Sequence, residues 1–527
     1  MIYTRKSPAL FMIGLIMLAI WYLLESGILS GYIGHLGGTK YKYAGEIAVV
    51  PLYFGIFSAI VGAWQWFGTH KEGNVDYYLS TAAGAMFILL IAMLVRWFLA
   101  PEIAVISESF GKVGNTGKYL HKILGLNYVV LGIVTGIIIV NVFRIPGWAE
   151  NGVRLSRLGL KTGVILLGTL YSAAELKNLG GLSIIMIGFF VLGSVGLVLW
   201  LGARAKIPSS MGGVLSAGMG VCGVSATVAA APVVQAKSVE IAYTIGTILL
   251  WGVGCMFVFP IVGHLLDMSH VQFGAWAGTG ILNSAQVAGA ALAYQPDGIE
   301  TLKVAEIFNI TRVLVLPIIV LWLAVWYVKR EGVESAQQVN VARVTFEKFP
   351  IFVLGFILLF ALSTTGVFAP ANHYKGKYFG NTAASGFKEE NLLKPGQAVL
   401  LKEEFDKVQK QDRKQALQRL IDHGKVMSME DDDVLRGLIN AKVVSEEASR
   451  VLKKAHKAVR HTAKKIKAFR DWITWLFAFG LVGLGMQITV SSMRQAGGQP
   501  AVIGGIVGAI KAVLSLVVVI LLISETV

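Results

Sequence analysis

Apolar positions run along this chain in long uncharged stretches. They follow neither the alternation of a half-buried strand nor the three-or-four spacing of a surface helix. Tyr128–Val142, Leu182–Ala203 and Ile351–Pro370 hold no charged residue at all. A helix rises 1.5 Å per residue, so about 20 such residues cross a hydrocarbon layer roughly 30 Å thick. Backbone groups in lipid must be satisfied within the segment, which makes these runs helices. A membrane β-barrel would alternate, and that pattern is absent. The pattern predicts an all-α polytopic membrane protein with about thirteen spans. They lie near 7–29, 47–67, 79–99, 126–143, 157–176, 182–203, 209–236, 240–266, 273–294, 303–327, 351–371, 471–490 and 500–523. The first run, Ser7–Leu29, resembles a signal peptide. It is too long for one and no small-residue cleavage site follows it, so it reads as a retained span.

One region breaks the pattern. Residues 372–470 hold 22 Lys/Arg and 13 Asp/Glu, and read as a small basic helical insert. Leu401–Asp422 has helical spacing and is closed by His423 and Gly424. Ser428 starts a second helix, whose first-turn acids favour the helix dipole. Ser445 starts a third, expected to run through Lys453, Lys457, Arg460, Lys464 and Lys467 toward the next span. The chain thus divides into extra N-terminal spans (1–110), a first core part (126–371), the insert (372–470) and the last core helices (471–527).

Composition sharpens this picture. Of 527 residues, 55% are hydrophobic and 15% charged, against about 25% charged in soluble domains. The formal charge of +16 fits basic loops and anionic lipid, not nucleic acid. Lys and Arg in the short loops favour a cytoplasmic N-terminus in an inner cell membrane, with the insert outside by span parity. Cys222 and Cys255 both lie in apolar runs and make no disulfide framework or metal spacing. No Walker loop, HExxH or catalytic triad appears, so no enzyme is expected.

Two spans are poor as plain lipid-facing helices. Ser216–Thr227 contains Gly218, Gly220 and Gly223 beside Ser225 and Thr227. Gly278–Gly289 places Asn283, Ser284 and Gln286 at membrane depth. Broken helices of this kind bind substrates in transporters, because a half-helix N-terminus offers N–H groups to an anion. The alternative is close helix packing through small residues. Arg312 lies deep in the span 303–327, either as an anion ligand or capping the carbonyls of a broken helix. Glu306, six residues earlier, falls off the Arg312 face of an ideal helix. Lys161 reads as snorkelling to the interface. Lys511 either lines a wet cavity or sits at the interface. Cys222 reads as a small packing residue.

Gly218–Ala226, Ala231–Lys237, Phe259–Leu266, Phe273–Gly278, Ala285–Val287 and Thr311–Leu314 together resemble the YeiH-type sulfate exporter family. That resemblance covers about 126–371 and 471–523. It implies an inverted-repeat core with crossing broken helices, of the kind grouped with NhaA-like and bile-acid-symporter-like transporters. The chain departs from it at Leu282 and Asn283, where that family usually has a His and an acid. It departs again at Asn309, where a basic residue is common. The function expected is secondary transport of a small anion, sulfate-like or another sulfur oxyanion or sulfonate. Gly220, Cys222, Gly223, Ser225, Thr227, Asn283, Ser284, Gln286 and Arg312 would form the site. No cofactor is expected; Na⁺ is the candidate coupling ion, near Ser225, Thr227, Asn283 and Gln286. A Na⁺-coupled organic-anion symporter, or a transporter-derived sensor or scaffold, are alternatives. The partners expected are the anion, lipid and a second copy in a homo-oligomer.

Overall fold

The computed structural model describes residues 3–36, 41, 43–69, 71, 73–112, 119–124, 126–171, 173–296, 299–331, 351–369, 373–374, 377–408, 411–440, 444–494 and 498–523. Pro370, at the end of one uncharged run, lies outside them, as do Lys40, Lys42, Lys118, Arg343 and Lys348 among the basic residues of the short loops. The chain is nearly all helical. It divides into two compact units, Met1–Val164 with Gly181–Val353 and Ile473–Ile523, and Ile165–Gly180 with Leu354–Trp472.

In chain order the first unit opens with α1 (Ala9–Glu25), α2 (Ser30–His35), α3 (Ala44–Ile47), α4 (Val50–Phe67), α5 (Asn74–Leu94) and α6 (Ala100–Ser109). Helices α1 and α4 are held together by small residues. A Cβ on Gly14 would lie 2.8 Å from the Ser58 carbonyl carbon, and one on Gly62 2.6 Å from the Phe11 Cα. Such close backbone approach is how helices associate where lipid removes the hydrophobic drive. A π-turn, Val95–Leu99, joins α5 to α6, giving one apolar span of 36 residues, Asn74–Ser109. That turn buries Arg96, which forms an ion pair with Glu46 at 2.8 Å. Its guanidinium also lies over the Tyr43 and Tyr128 rings, 4.7 and 4.6 Å from their centroids. The expected 79–99 span thus continues further, and the charge at its end is closed off by its partners.

There follow α7 (Leu120–Ile123), α8 (Tyr128–Ile138), α9 (Glu150–Leu167), α10 (Ala173–Arg204), α11 (Ser209–Gly220), α12 (Val224–Ala230) and α13 (Ser238–Leu265). Then come α14 (His270–Gly280), α15 (Ser284–Tyr294), α16 (Glu300–Leu314) and α17 (Leu316–Glu331), while α18 (Ile351–Thr364) lies mostly in the second unit. Asn127 caps α8, accepting the Val129 N–H at 2.9 Å. The first unit closes with α23 (Lys464–Gly485), α24 (Val490–Arg494) and α25 (Gly498–Leu522); helices α19–α22 belong to the insert. Helix α23 runs antiparallel to α9: Gly483 faces Ser156, Gly480 faces Leu160 and Gly163 faces Phe477. The Tyr3 carbonyl accepts the Asn151 amide at 3.1 Å, and Lys6 reaches the Gly68 carbonyl at 2.9 Å.

Among the described residues, six helices are long and apolar enough to cross a membrane, and Ala9–Glu25, Tyr128–Phe143 and Ile351–Thr364 are shorter apolar helices. The expected spans 209–236 and 273–294 are each interrupted, at 221–223 and 281–283, and 303–327 is interrupted at Val315.

In the second unit the insert forms α19 (Pro395–Glu403), α20 (Gln411–His423), α21 (Met429–Asn440) and α22 (Glu446–Val459). Leu401, Leu417, Leu420, Leu438 and Leu452 build its core. Three of its boundaries match the sequence signals. Gly424 takes φ +65° after α20, and Ser428 and Ser445 accept N–H groups of Asp431 and Ala448 at 3.1 and 3.3 Å. Two expectations fail. Leu401–Asp422 is not one helix: α19 ends at Glu403, Phe405–Lys407 forms a tighter turn, and α20 starts only at Gln411. The third helix does not run on through Arg460, but ends at Val459. Arg460–Thr462 is strand β3, which pairs antiparallel with β2 (Lys377–Phe379), itself paired with β1 (His373–Tyr374). The cause is long-range: Arg460 Nε donates to the buried Asp432 carboxylate at 2.5 Å, and this turns the chain out of the helix.

Candidate functional site at the two helix interruptions

Glycine and polar residues at membrane depth weaken two helices locally, and the fold brings the two weak points together. Helix α11 stops at Gly220, Val221 takes φ −103° and ψ −99°, and α12 begins after Gly223 at φ +79°. That left-handed conformation suits glycine. The position also has no room, since a Cβ there would sit 3.2 Å from the Asn283 Cα. Asn283 is the cap of the second interruption, its Oδ1 accepting the Ala285 N–H at 3.0 Å. The break after α11 therefore touches the break after α14.

Each half-helix that ends here leaves carbonyls without intrahelical partners, and a buried cation reaches each set. Lys511 of α25, 2% exposed, donates its Nζ to the Met219 and Gly220 carbonyls at 3.2 and 3.3 Å. Arg312 of α16, fully buried, donates Nη1 to the Ile281 carbonyl at the end of α14. Cations at helix C-termini also complement the macrodipole. The sequence left Lys511 between cavity and interface and Arg312 between ligand and cap. In this conformation both are caps. Arg312 Nη2 donates to Asn309 Oδ1 at 2.9 Å, and Asn309 Nδ2 donates to Glu306 Oε2 at 2.9 Å. Glu306 is fully buried, not off-site as its helical position suggests. Six residues place it on another side of α16, and Asn309, midway between them, joins the two.

The remaining expected residues fall into two groups. Ser284 Oγ and both amide atoms of Gln286 are buried without a hydrogen-bond partner, as are Thr279 Oγ1, Arg312 Nε and Glu306 Oε1. The Gln286 amide packs on Gly252 of α13. Thr279, Glu306, Asn309 and Lys511 were not among the expected site residues; a polar i, i+3, i+6 series on α16 was the available signal for two of them. The second group is otherwise engaged. Thr227 Oγ1 donates back to the Gly223 carbonyl at 3.2 Å. Cys222 is buried. Ser225 is exposed. The Val221 and Gly223 N–H groups donate to the Ala217 and Gly218 carbonyls at 3.0 and 3.1 Å, so these two are not offered to an anion. The four residues expected near Na⁺ are thus split among an exposed hydroxyl, a back-bonded one, a helix cap and an unpartnered amide. Lys161 is exposed, as snorkelling requires.

Helix α16 can lie this close to α14 because Gly274 and Gly278 face it: Cβ atoms there would be 2.7 Å from the Thr301 carbonyl oxygen and 2.6 Å from Phe308 Cβ. Stacking of Phe259 on Trp276, with centroids 3.9 Å apart, and the Trp276 Nε1 bond to the Ala512 carbonyl at 2.9 Å pin α14 against α13 and α25. No group of His, Cys, Asp and Glu with metal-site geometry is found among the described residues.

Comparison with known proteins places the chain. A family model described as conserved hypothetical protein 698 matches residues 84–377. A UPF0324 membrane protein of Nitratidesulfovibrio vulgaris (strain Hildenborough) is 35% identical over 456 residues, 85% of this chain and 97% of that protein. A second UPF0324 membrane protein of the same organism is 38% identical over 299 residues, 56% of this chain and 79% of that protein. UPF0324 membrane protein Bd1437 of Bdellovibrio bacteriovorus is 29% identical over 238 residues, 45% of this chain and 68% of that protein. No solved structure matches. With more than half its length inside the matched region, and a relative covered almost end to end, the chain belongs to the conserved hypothetical protein 698 family of UPF0324 membrane proteins.

Proposed function

We propose that this membrane protein is a secondary transporter of a small oxyanion, binding it at the two helix interruptions and releasing it by alternating access. The substrate class is a sulfate-like sulfur oxyanion or sulfonate, as the resemblance to the YeiH-type exporters implies, with about thirteen spans arranged as an inverted repeat. One observation carries the reading. Thr279 Oγ1, Ser284 Oγ, both polar atoms of Gln286 and Arg312 Nε are buried on or beside the α14–α15 interruption without partners. Leaving such groups unmet costs about 1–3 kcal/mol each, which a polar ligand would offset. Arg312 supplies the positive charge, and its planar fork suits an oxyanion. The N-terminus is cytoplasmic in this reading, and α23 enters from the opposite face.

The test is a thermal-shift screen of the purified full chain against sulfate, sulfite, sulfonates, carboxylates and Na⁺. A ligand at a hundredfold excess over its Kd stabilises the native state by roughly 2.7 kcal/mol. Stabilisation by a sulfur oxyanion, lost in Gln286→Leu, supports the reading. No shift with any anion would overturn it. A shift that appears only when Na⁺ accompanies a carboxylate would replace it with the organic-anion symporter.

A further inference from the structure

Glu306 takes no part in the transporter reading, yet it is the feature of α16 most in need of an explanation. The carboxyl is fully buried. One oxygen accepts the Asn309 amide, and the other has no partner. A carboxylate held inside a membrane protein is normally paired, and an ionisable group there marks an ion or proton path. We propose that Glu306 is a proton-binding site that couples proton movement to the anion through Asn309 and Arg312. The inference rests on the transporter reading for its anion, but the proton site itself does not.

Among the described residues, Arg312, on the same helix, is the charged group that acts on Glu306. Lys303, one turn before it, has an interaction of its own, and Glu300 lies at the helix start, where Gln295 donates to it at 3.0 Å. Against α16 pack α14, α15, α17 and α10. Helix α14 carries only His270, whose ring meets Thr301 at 3.3 Å. Helix α15 has no charged residue, and α17 has them only at its far end, Lys329, Arg330 and Glu331. The α10 stretch from Ser183 to Trp200 is uncharged. Lys511 of α25 caps α11 instead.

The coupling follows from the chemistry of a primary amide, which has a donor end and an acceptor end. With Glu306 ionised, Asn309 must present its NH₂ to the carboxylate. Its carbonyl then faces Arg312 Nη2, as observed. A proton from the aqueous side that adds to the carboxylate gives a neutral acid able to donate. Asn309 can then turn over and accept from it, which points the NH₂ at Arg312. Two donors now face each other, and Nη2 leaves Asn309 for another acceptor. An oxyanion at the interruption is that acceptor. Proton binding therefore favours anion binding, and by linkage the anion favours the proton. Release of both on the other side restores the ionised arrangement. No bond other than O–H forms or breaks.

The experiment uses the full chain in nanodiscs, wild type and Glu306→Gln. pH-difference infrared spectra should show the carbonyl stretch of a protonated carboxyl that titrates with pH, and Glu306→Gln should lack it. Sulfate and sulfite affinity, from thermal shift, should rise in the wild type as pH falls, by roughly 5- to 150-fold across the titration. It should vary less than about twofold in the variant, which mimics the protonated form. Asn309→Leu keeps the carboxyl band and removes the pH dependence of affinity, a result that also serves if Glu306→Gln does not fold. A band unchanged in Glu306→Gln overturns the proton site. A titrating Glu306 with pH-independent anion affinity overturns the coupling and leaves the transporter reading standing. A titrating band with no anion binding at any pH overturns the transporter reading and leaves the proton site standing.

Discussion

The insert and the helix interruptions bury charge in opposite ways. In the insert, Asp432 is completely buried and both of its oxygens are met by side-chain nitrogens, His456 Nδ1 at 2.7 Å and Arg460 Nε at 2.5 Å. The neighbouring Asp431 takes Arg419 through two nitrogens, with Nε 3.0 Å from Oδ2. At the helix interruptions, Arg312 and Lys511 are equally buried but rest on backbone carbonyls. Around them Gln286, Ser284, Thr279 and one Glu306 oxygen have no partner. A saturated network fixes one structure, because every alternative loses a strong bond. An unsaturated one leaves capacity for a ligand or for a second arrangement. In the proposed function, the Asp432 network serves folding and the charges at the interruptions serve exchange.

The largest effect that would break this comparison lies in the insert. Asp432→Ala strands Arg460 and His456, and removing one member of a buried pair costs about 3–5 kcal/mol. Hydrogen exchange on the full chain should show α21, α22 and β3 opening, while stabilisation by sulfate is unchanged. Loss of anion binding in that variant would remove the division between the two regions. The same site sets a pH dependence. Burial raises the Asp432 value, but the bonds and charges of His456 and Arg460 outweigh it and hold the group below the usual aspartate range. A depressed folded value means the stabilisation is present above the ordinary value of about 3.9 and fades as pH falls through the folded one. Exchange protection of α22 should therefore drop on acidification below about pH 4 in the wild type. It should show no such step in Asp432→Ala.

Arg312→Lys is expected to act next most strongly. It keeps the charge and loses the fork, so it should weaken oxyanion binding by about 1.5–3 kcal/mol, the range for a hydrogen bond to a charged group. Melting temperature and sulfate affinity measured on one preparation sharpen the comparison. A fall in affinity with a small change in melting temperature marks Arg312 as a ligand. A large fall in melting temperature with affinity intact would make it a cap alone. Asn283→Ala should have the smallest effect, about 1 kcal/mol from loss of the α15 cap, read as a modest fall in melting temperature. A larger loss of anion affinity than of stability would add Asn283 to the binding groups.

The insert and the core were legible in the sequence to different depths. Capping signals are local, so Ser428, Ser445 and Gly424 marked real boundaries. The third insert helix was drawn too long, because nothing near Arg460 in sequence shows that Asp432 will claim it 28 residues away. In the core, Gly220–Gly223 and Gly280–Asn283 showed their weakness as helix directly, and both are interruptions. The N–H groups of Val221 and Gly223 looked available and are instead bonded back to α11. Ser225 looked like a ligand and is exposed, since side-chain direction after a break depends on how the chain resumes.

By itself the sequence determined that this is a helical membrane protein, where its helices weaken, and that a basic insert interrupts its apolar pattern. Those features depend on span length, backbone satisfaction in lipid, glycine content and charge, all read within a few turns of one helix. Only the tertiary structure decided that the two weak points touch at Gly223 and Asn283. It also decided that Lys511 answers carbonyls 292 and 291 residues away, and that Arg312 reaches the Ile281 carbonyl 31 residues away. The physical reason is range. A hydrogen bond is set within about 3 Å in space, and at these sites the atoms that close to each other come from helices far apart in the chain.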